Sequence, residues 1–323
     1  MSGTRDDLAA AGLRLAWRLA RAVPEPLALT LAERAADRLH ARGGDRVEQL
    51  RANLRRTRPQ AGPAELDALV REGLRSYARY WCDVFRLPAW SRERVLADVR
   101  AVGAEPLREH LRSGRGAAVF LGHLGNWDHG AAWSATELAP VVTVAERLRP
   151  EAVFEQFLAF RRRLGMEVLP LGDPGTFPAL VRRARAGALV PLLADRDLSG
   201  SGVPVRFLGE TVRMAAGPAV LALTARVPLF PISVWYEGPA ARPRTLVVEV
   251  GEEVRRPPAD PARPAREDRD AAVAAMTQAC ADVLAAAVRA HPQDWHVLQP
   301  VFAGDAPADV PGDAPGNAPG NAP

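Results

Sequence analysis

The stretch AAVFLGHLGNWDHGAAW, Ala117–Trp133, decides how the chain is read. An apolar run ends abruptly at Gly122, and His123, Asn126, Asp128 and His129 then crowd into seven positions. The run Ala117–Leu121 has the length of a buried strand, and Asn126 and Asp128 are residues that cap and open a helix. On one continuous helix, His123 and Asp128 would lie five positions and about 500° of rotation apart, so their side chains would diverge by about 140°. A strand followed by a loop resolves this, because a bend at Gly122 and Gly125 can fold His123 back toward the first helical turn. In open α/β sheets ligands bind in that crevice. The plainer explanation, a capped helix behind a polar loop histidine, accounts for the same residues and stays open on local sequence alone.

Outward from this junction, short β-type runs alternate with helical stretches. The runs are Val141–Ala145, Glu167–Pro170, Leu189–Ala194, Pro231–Tyr236 and Leu246–Val250. This alternation predicts an α/β fold with a mixed, largely parallel central sheet flanked by helices. Asp268–Arg289 reads as a closing helix. Before residue 96 the texture is helical: Leu8, Leu15, Leu19 and Ala22 share one stripe of a helix and Arg14, Arg18 and Arg21 another. Such a helix suits a membrane interface or a core-facing position equally. Pro24 and Pro26 end it, and the next helix runs to Gly43 and Gly44. The aromatic stretch SYARYWCDVFRLPAW is expected to pack on the following domain. The organisation expected is a helical region over 1–95, an α/β core over 96–303, and a Pro/Gly/Ala tail over 304–323 that lacks core-forming residues and is expected to be disordered.

Composition narrows the partners. The chain has 323 residues, 48% hydrophobic, with a net charge of only +4, yet its isoelectric point is near 9.7 because its basic residues are all arginine. Arginine keeps its charge and grips phosphate in a bidentate fork, which fits anionic lipid or a phosphorylated ligand. No nucleic-acid motif accompanies it. Cys82 and Cys280 are read as reduced core residues, being too few for a disulfide framework or a zinc site. No uninterrupted stretch reaches eighteen apolar residues, so no membrane-spanning segment is expected. The Leu8–Val23 run, interrupted by Arg14 and Arg18, departs from a secretory signal. A metal centre from His123, Asp128, His129 and Asp195 is the weaker option, because Asp128 and His129 are neighbours on a helix and diverge by about 100°.

His123-Leu-Gly-Asn-Trp-Asp128 after an apolar strand is similar to the His-x4-Asp motif of glycerolipid-type acyltransferases. Its form resembles the lipid A biosynthesis acyltransferase family, including the subgroup that acylates phosphatidylinositol mannosides. SYARYWCDVFRLP, TVAERLRPE, LGMEVLPL, LLADRDLSGSGVPVRFLGETVRMAAGPA and DWHVLQP continue the resemblance in the family's order, roughly from Leu15 to Phe302. The resemblance implies transfer of a fatty acyl chain, palmitoyl by expectation, from acyl-CoA as co-substrate to a mannose hydroxyl of a phosphatidylinositol mannoside. The transfer would be direct, in a ternary complex, without a resident cofactor or metal. It would occur on the cytoplasmic face of the plasma membrane, with the protein peripheral or monotopic. Other glycolipid acceptors, or a non-catalytic lipid-binding role, are the alternatives.

The resemblance also assigns residues. His123 is the implied general base, since an imidazole suits proton abstraction near neutral pH. Its implied partner is Asp195, where the family pattern has Glu, with Asp128 as supporting residue or alternative partner. Glu146, beside Arg147, borders the family's site, and Arg161 matches an arginine placed near acyl-CoA, so its truncation is expected to weaken donor use more than stability. Ser201 matches a residue near the acyl donor, and Thr224 a substrate-site position where the family carries Glu. No Gly-x-Ser-x-Gly motif supports a covalent serine mechanism.

Overall fold

The computed structural model describes residues 21–147, 151–197, 200–238, 245–302 and 304. The expected helix through residue 20 and all of the expected tail except Gly304 lie outside the described residues. Three helices come first: α1 (Glu25–Arg42), α2 (Asp45–Thr57) and α3 (Pro63–Arg86). Prolines occupy the first turns of α1 and α3, where a missing N–H costs no helical bond. Leu50, Leu54, Leu66, Val70 and Leu74 close a small core among them. A short α4 (Arg92–Ala97) leads into β1 (Val99–Val102) and α5 (Glu105–Arg112).

The α/β region follows as β2 (Ala117–Leu121), α6 (Trp127–Glu137), β3 (Val141–Ala145), α7 (Glu151–Arg163), β4 (Met166–Pro170), α8 (Thr176–Arg185) and β5 (Leu189–Leu193). Then come the hairpin β6 (Val203–Phe207) and β7 (Glu210–Met214), α9 (Gly217–Ala225), β8 (Leu229–Glu237), β9 (Thr245–Val250) and α10 (Ala265–Ala290). The main sheet has seven strands in the order β1-β9-β8-β2-β5-β3-β4. Strands β8, β2, β5, β3 and β4 are mutually parallel; β9 reverses against β8 and β1 runs with β9, so the sheet is mixed and largely parallel.

The period of two along β2 sorts its side chains into two cores. Ala118 and Phe120 face α8, α9 and α10, whereas Ala117 and Val119 face α3, α6 and α7. Helix α10 is long and apolar enough to cross a membrane by length and composition, a property the sequence reading did not anticipate. In the fold its Met276, Cys280, Leu284 and Val288 are buried against the sheet.

One interruption in the sheet opens the cleft. Strand β5 pairs with β2 along all five residues, but with β3 only at Val141 and Leu189. Pro191 has no N–H to offer β3, and its carbonyl is taken instead by the Thr143 hydroxyl at 2.7 Å. The strands therefore part toward their carboxyl ends. Val144, Ala145 and Glu146 on one side and Leu193 on the other line the resulting opening.

Candidate active site

Strand β2 delivers the loop that carries His123 to this opening. Glycine is required at both bends. A Cβ at Gly122 would lie 2.7 Å from the Leu284 side chain, and Gly125 has a φ of 62° with the Val234 carbonyl oxygen 2.4 Å from where its Cβ would be. Asn126 then starts α6 by accepting the His129 amide at 3.0 Å. Thus the capping explanation is correct for Asn126, but His123 is no idle loop residue.

The bend turns His123 toward β5. Its Nδ1 lies 2.6 Å from Asp195 Oδ1, and its backbone N–H donates to Oδ2 at 2.9 Å. The indole of Trp295 donates to the same Oδ2 at 3.1 Å. Burial pushes the Asp195 carboxyl up, but the His123 ring and the bonds from its side chain and amide more than offset this, leaving it at about 2. An ionised carboxylate only accepts, so Nδ1 carries the imidazole proton and Nε2 keeps its lone pair. His123 itself lines the cleft, with Tyr80, Trp81, Trp127, Phe154 and Phe157 as its aromatic walls.

Asp128 does not meet His123. Its carboxylate receives Arg161 Nε at 2.8 Å and the Tyr80 hydroxyl at 2.9 Å, and it is almost wholly buried. Of the two roles left open for Asp128, only the supporting one has a geometric basis: it ties α6 to α3 and α7. Arg161 lines the cleft, yet its charge is engaged by Asp128 rather than left for a phosphate. His129 turns away to the Val95 carbonyl, 3.1 Å from Nε2, and burial lowers its pKa to about 4. Among the described residues, no three His, Cys, Asp or Glu side chains converge as metal ligands.

The remaining expected residues divide. Glu146 lines the cleft, half-buried. Ser201 is exposed ahead of β6 and is not among the residues lining the cleft with His123. Thr224 is not brought to this end of the fold. It sits in the last turn of α9, at the end that leads toward β8, opposite the end preceded by Ala215, whose amide bonds the Ala194 carbonyl near the site. Its hydroxyl donates to the Val220 carbonyl and accepts from Arg269 there, and it is not among the residues lining the cleft with His123.

Sequence reasoning assigned no role to the segment that completes the loop. The carbonyl of Asp294 accepts the Gly125 amide, and the His296 amide donates to the His123 carbonyl, both at 2.8 Å. Asp294 in turn accepts the Tyr236 amide, and His296 Nε2 meets the Ser76 hydroxyl on α3. Burial lowers the His296 pKa to about 3, so this contact operates with a neutral ring. Phe207 of the hairpin packs edge-on to Trp295 at 5.7 Å, which steadies the Asp195 donor. The available signal was a polar-aromatic triplet, Asp294-Trp295-His296, after an alanine-rich helix.

Residues 9–303 match the bacterial lipid A biosynthesis acyltransferase family. The chain belongs to that family. It is 40% identical over 297 residues to the phosphatidylinositol mannoside acyltransferase of Mycolicibacterium smegmatis, covering 91% of each chain. Against the protein of the same name from Mycobacterium tuberculosis (strain CDC 1551 / Oshkosh) it is 39% identical over 293 residues, 90% of this chain and 87% of that one. The acyltransferase family therefore supplies the reaction class, and the site supplies an imidazole, a carboxylate bonded to it and a cleft with aromatic walls.

Proposed function

We propose that the protein moves a fatty acyl chain, palmitoyl in our reading, from acyl-CoA to a mannose hydroxyl of a phosphatidylinositol mannoside. The observation that carries the proposal is the His123–Asp195 pair, which leaves Nε2 as the basic nitrogen within an aromatic cleft. The named mycobacterial relatives support the choice of acceptor.

The chemistry follows from the pair. Nε2 takes the proton of the attacking hydroxyl as its oxygen reaches the thioester carbonyl. Asp195 holds the ring in the required tautomer and stabilises the imidazolium. Collapse of the tetrahedral intermediate expels the thiolate, which the imidazolium protonates. No acyl-enzyme is needed, so donor and acceptor occupy the cleft together. Tyr80, Asp128 and Arg161 keep the cleft wall in place around them. In this reading the cleft works at the cytoplasmic face of the plasma membrane, with the protein peripheral or monotopic.

The test is mass spectrometry of phosphatidylinositol mannosides incubated with purified protein and labelled palmitoyl-CoA. An added palmitoyl mass on the mannose is expected, and His123→Ala should lower it by roughly 10²–10⁴-fold. Labelled product on a different glycolipid, with the mannosides untouched, would overturn the acceptor assignment.

A further inference from the structure

Two donors lining the cleft lack an acceptor among the described residues. The indole Nε1–H of Trp127 is buried and makes no hydrogen bond. Its ring is nevertheless held firmly, stacked on Tyr80 at 4.3 Å and edge-on to His123 at 5.3 Å. The Nε–H of Arg196 is likewise buried and unpaired, and its guanidinium forms no ion pair among the described residues. Burying an N–H without an acceptor is costly, and such orphans are explained where a ligand supplies the missing partner.

The contrast with Arg161 sharpens this. That guanidinium answers Asp128 directly, whereas Arg196, next in the chain after the base's partner, acts on Asp195 only through space. A cationic donor and a neutral donor thus stand in the same cleft as the base.

We infer that Trp127 and Arg196 form the oxyanion site, donating to the carbonyl oxygen of the acyl thioester. The inference rests on the acyl-transfer reading above. As the acceptor oxygen bonds to the carbonyl carbon, its proton passes to His123 Nε2 and the carbonyl π pair settles on the oxygen as an alkoxide. That charge meets the Trp127 and Arg196 donors, which need no rearrangement to receive it. The pair then re-forms the C=O bond, the C–S bond breaks, and the thiolate takes the proton back from His123. The donors bind the reacting oxygen most strongly when it is charged, so they act on turnover more than on substrate capture.

The experiment follows free CoA thiol released from palmitoyl-CoA, with phosphatidylinositol mannoside present as acceptor, by Trp127→Phe, Arg196→Gln and Arg196→Lys, with melting temperatures as the control for folding. Trp127→Phe retains an aromatic ring against Tyr80 while removing the N–H together with part of the indole's packing surface, which the melting temperature reads separately. It should cut kcat about 10²-fold, with KM for the donor changed less than about threefold. Arg196→Gln should lose at least as much kcat, and Arg196→Lys should recover part of it by restoring charge. Wild-type kcat in a folded Trp127→Phe protein would overturn the inference. So would an Arg196→Gln protein with raised KM and unchanged kcat, because the guanidinium would then be anchoring a ground-state anion. A wild-type protein that releases no thiol would instead strike down the acyl-transfer reading, a result separable from active wild type with unaffected variants.

Discussion

Replacing Asp195 with Asn tests the pair at its most informative atom. All three groups around the carboxylate are donors: the His123 ring, the His123 amide and the Trp295 indole. An amide has one acceptor oxygen and one NH2 group to set against them. Directing its oxygen to the two donors that share Oδ2 places the NH2 against Nδ1. The imidazole must then accept there and carry its proton on Nε2, where the base needs a lone pair. The reverse orientation sets an NH2 against two N–H groups in a site with no exposure, which is the less favourable choice. The wrong tautomer alone lowers turnover by about 10⁴-fold in comparable His–carboxylate sites, or about 5 kcal/mol on the barrier. Steady-state thiol release from palmitoyl-CoA measures kcat, and a denaturant melt checks that the fold survives. A folded Asp195→Asn protein within about tenfold of wild type would refute the tautomer argument.

Arg161→Ala should act first on stability, contrary to the expectation drawn from sequence. It strands the buried Asp128 carboxylate and should cost about 3 kcal/mol by urea unfolding, whereas a stability loss below about 0.5 kcal/mol would contradict the pairing. Gly125→Ala forces a side chain into a left-handed backbone beside the Val234 carbonyl. It should destabilise by roughly 1–3 kcal/mol and lower kcat through a displaced His123; unchanged kinetics would show that the loop tolerates the shift. Asp83 is buried against the Tyr236 hydroxyl, and burial raises its carboxyl from the ordinary carboxylate range to about 6. With the folded pKa raised, its contribution is fully present below the unfolded value and is lost as pH rises through about 6. Asp83→Asn should therefore gain stability relative to wild type between pH 4 and 7.5, by up to about 3 kcal/mol, and a difference independent of pH would refute this.

The sheet was legible because its strands are apolar runs bounded by turn residues, and the loop because Gly122 and Gly125 bracket a histidine. The hairpin was not separately visible. Its turn places Leu208 at a φ of 50°, a conformation that side chain does not advertise. The contact between His123 and Asp195 was reached only through resemblance, since nothing local links residue 123 to 195. The same argument named Thr224, which the structure sets in the last turn of α9 away from the cleft, because matching a position says nothing about which end of a helix faces the site. Tyr80 was expected to pack and does, but its hydroxyl's bond to Asp128 depends on how α3 lies across α6, which no periodicity encodes.

The clasp of Asp294–His296 over the catalytic loop sets a timetable for biosynthesis. Asp195 receives its indole from a residue 100 positions later, and α3 meets His296 across 220 positions. Domains generally fold as units, the N-terminal one first, during synthesis. Here the base cannot be held by its final contacts until nearly all of the described chain has left the ribosome. A nascent chain would carry His123 without its clasp, so acylating capacity would appear last, at release. Premature termination before Trp295 would then yield an inert protein rather than a weakened one.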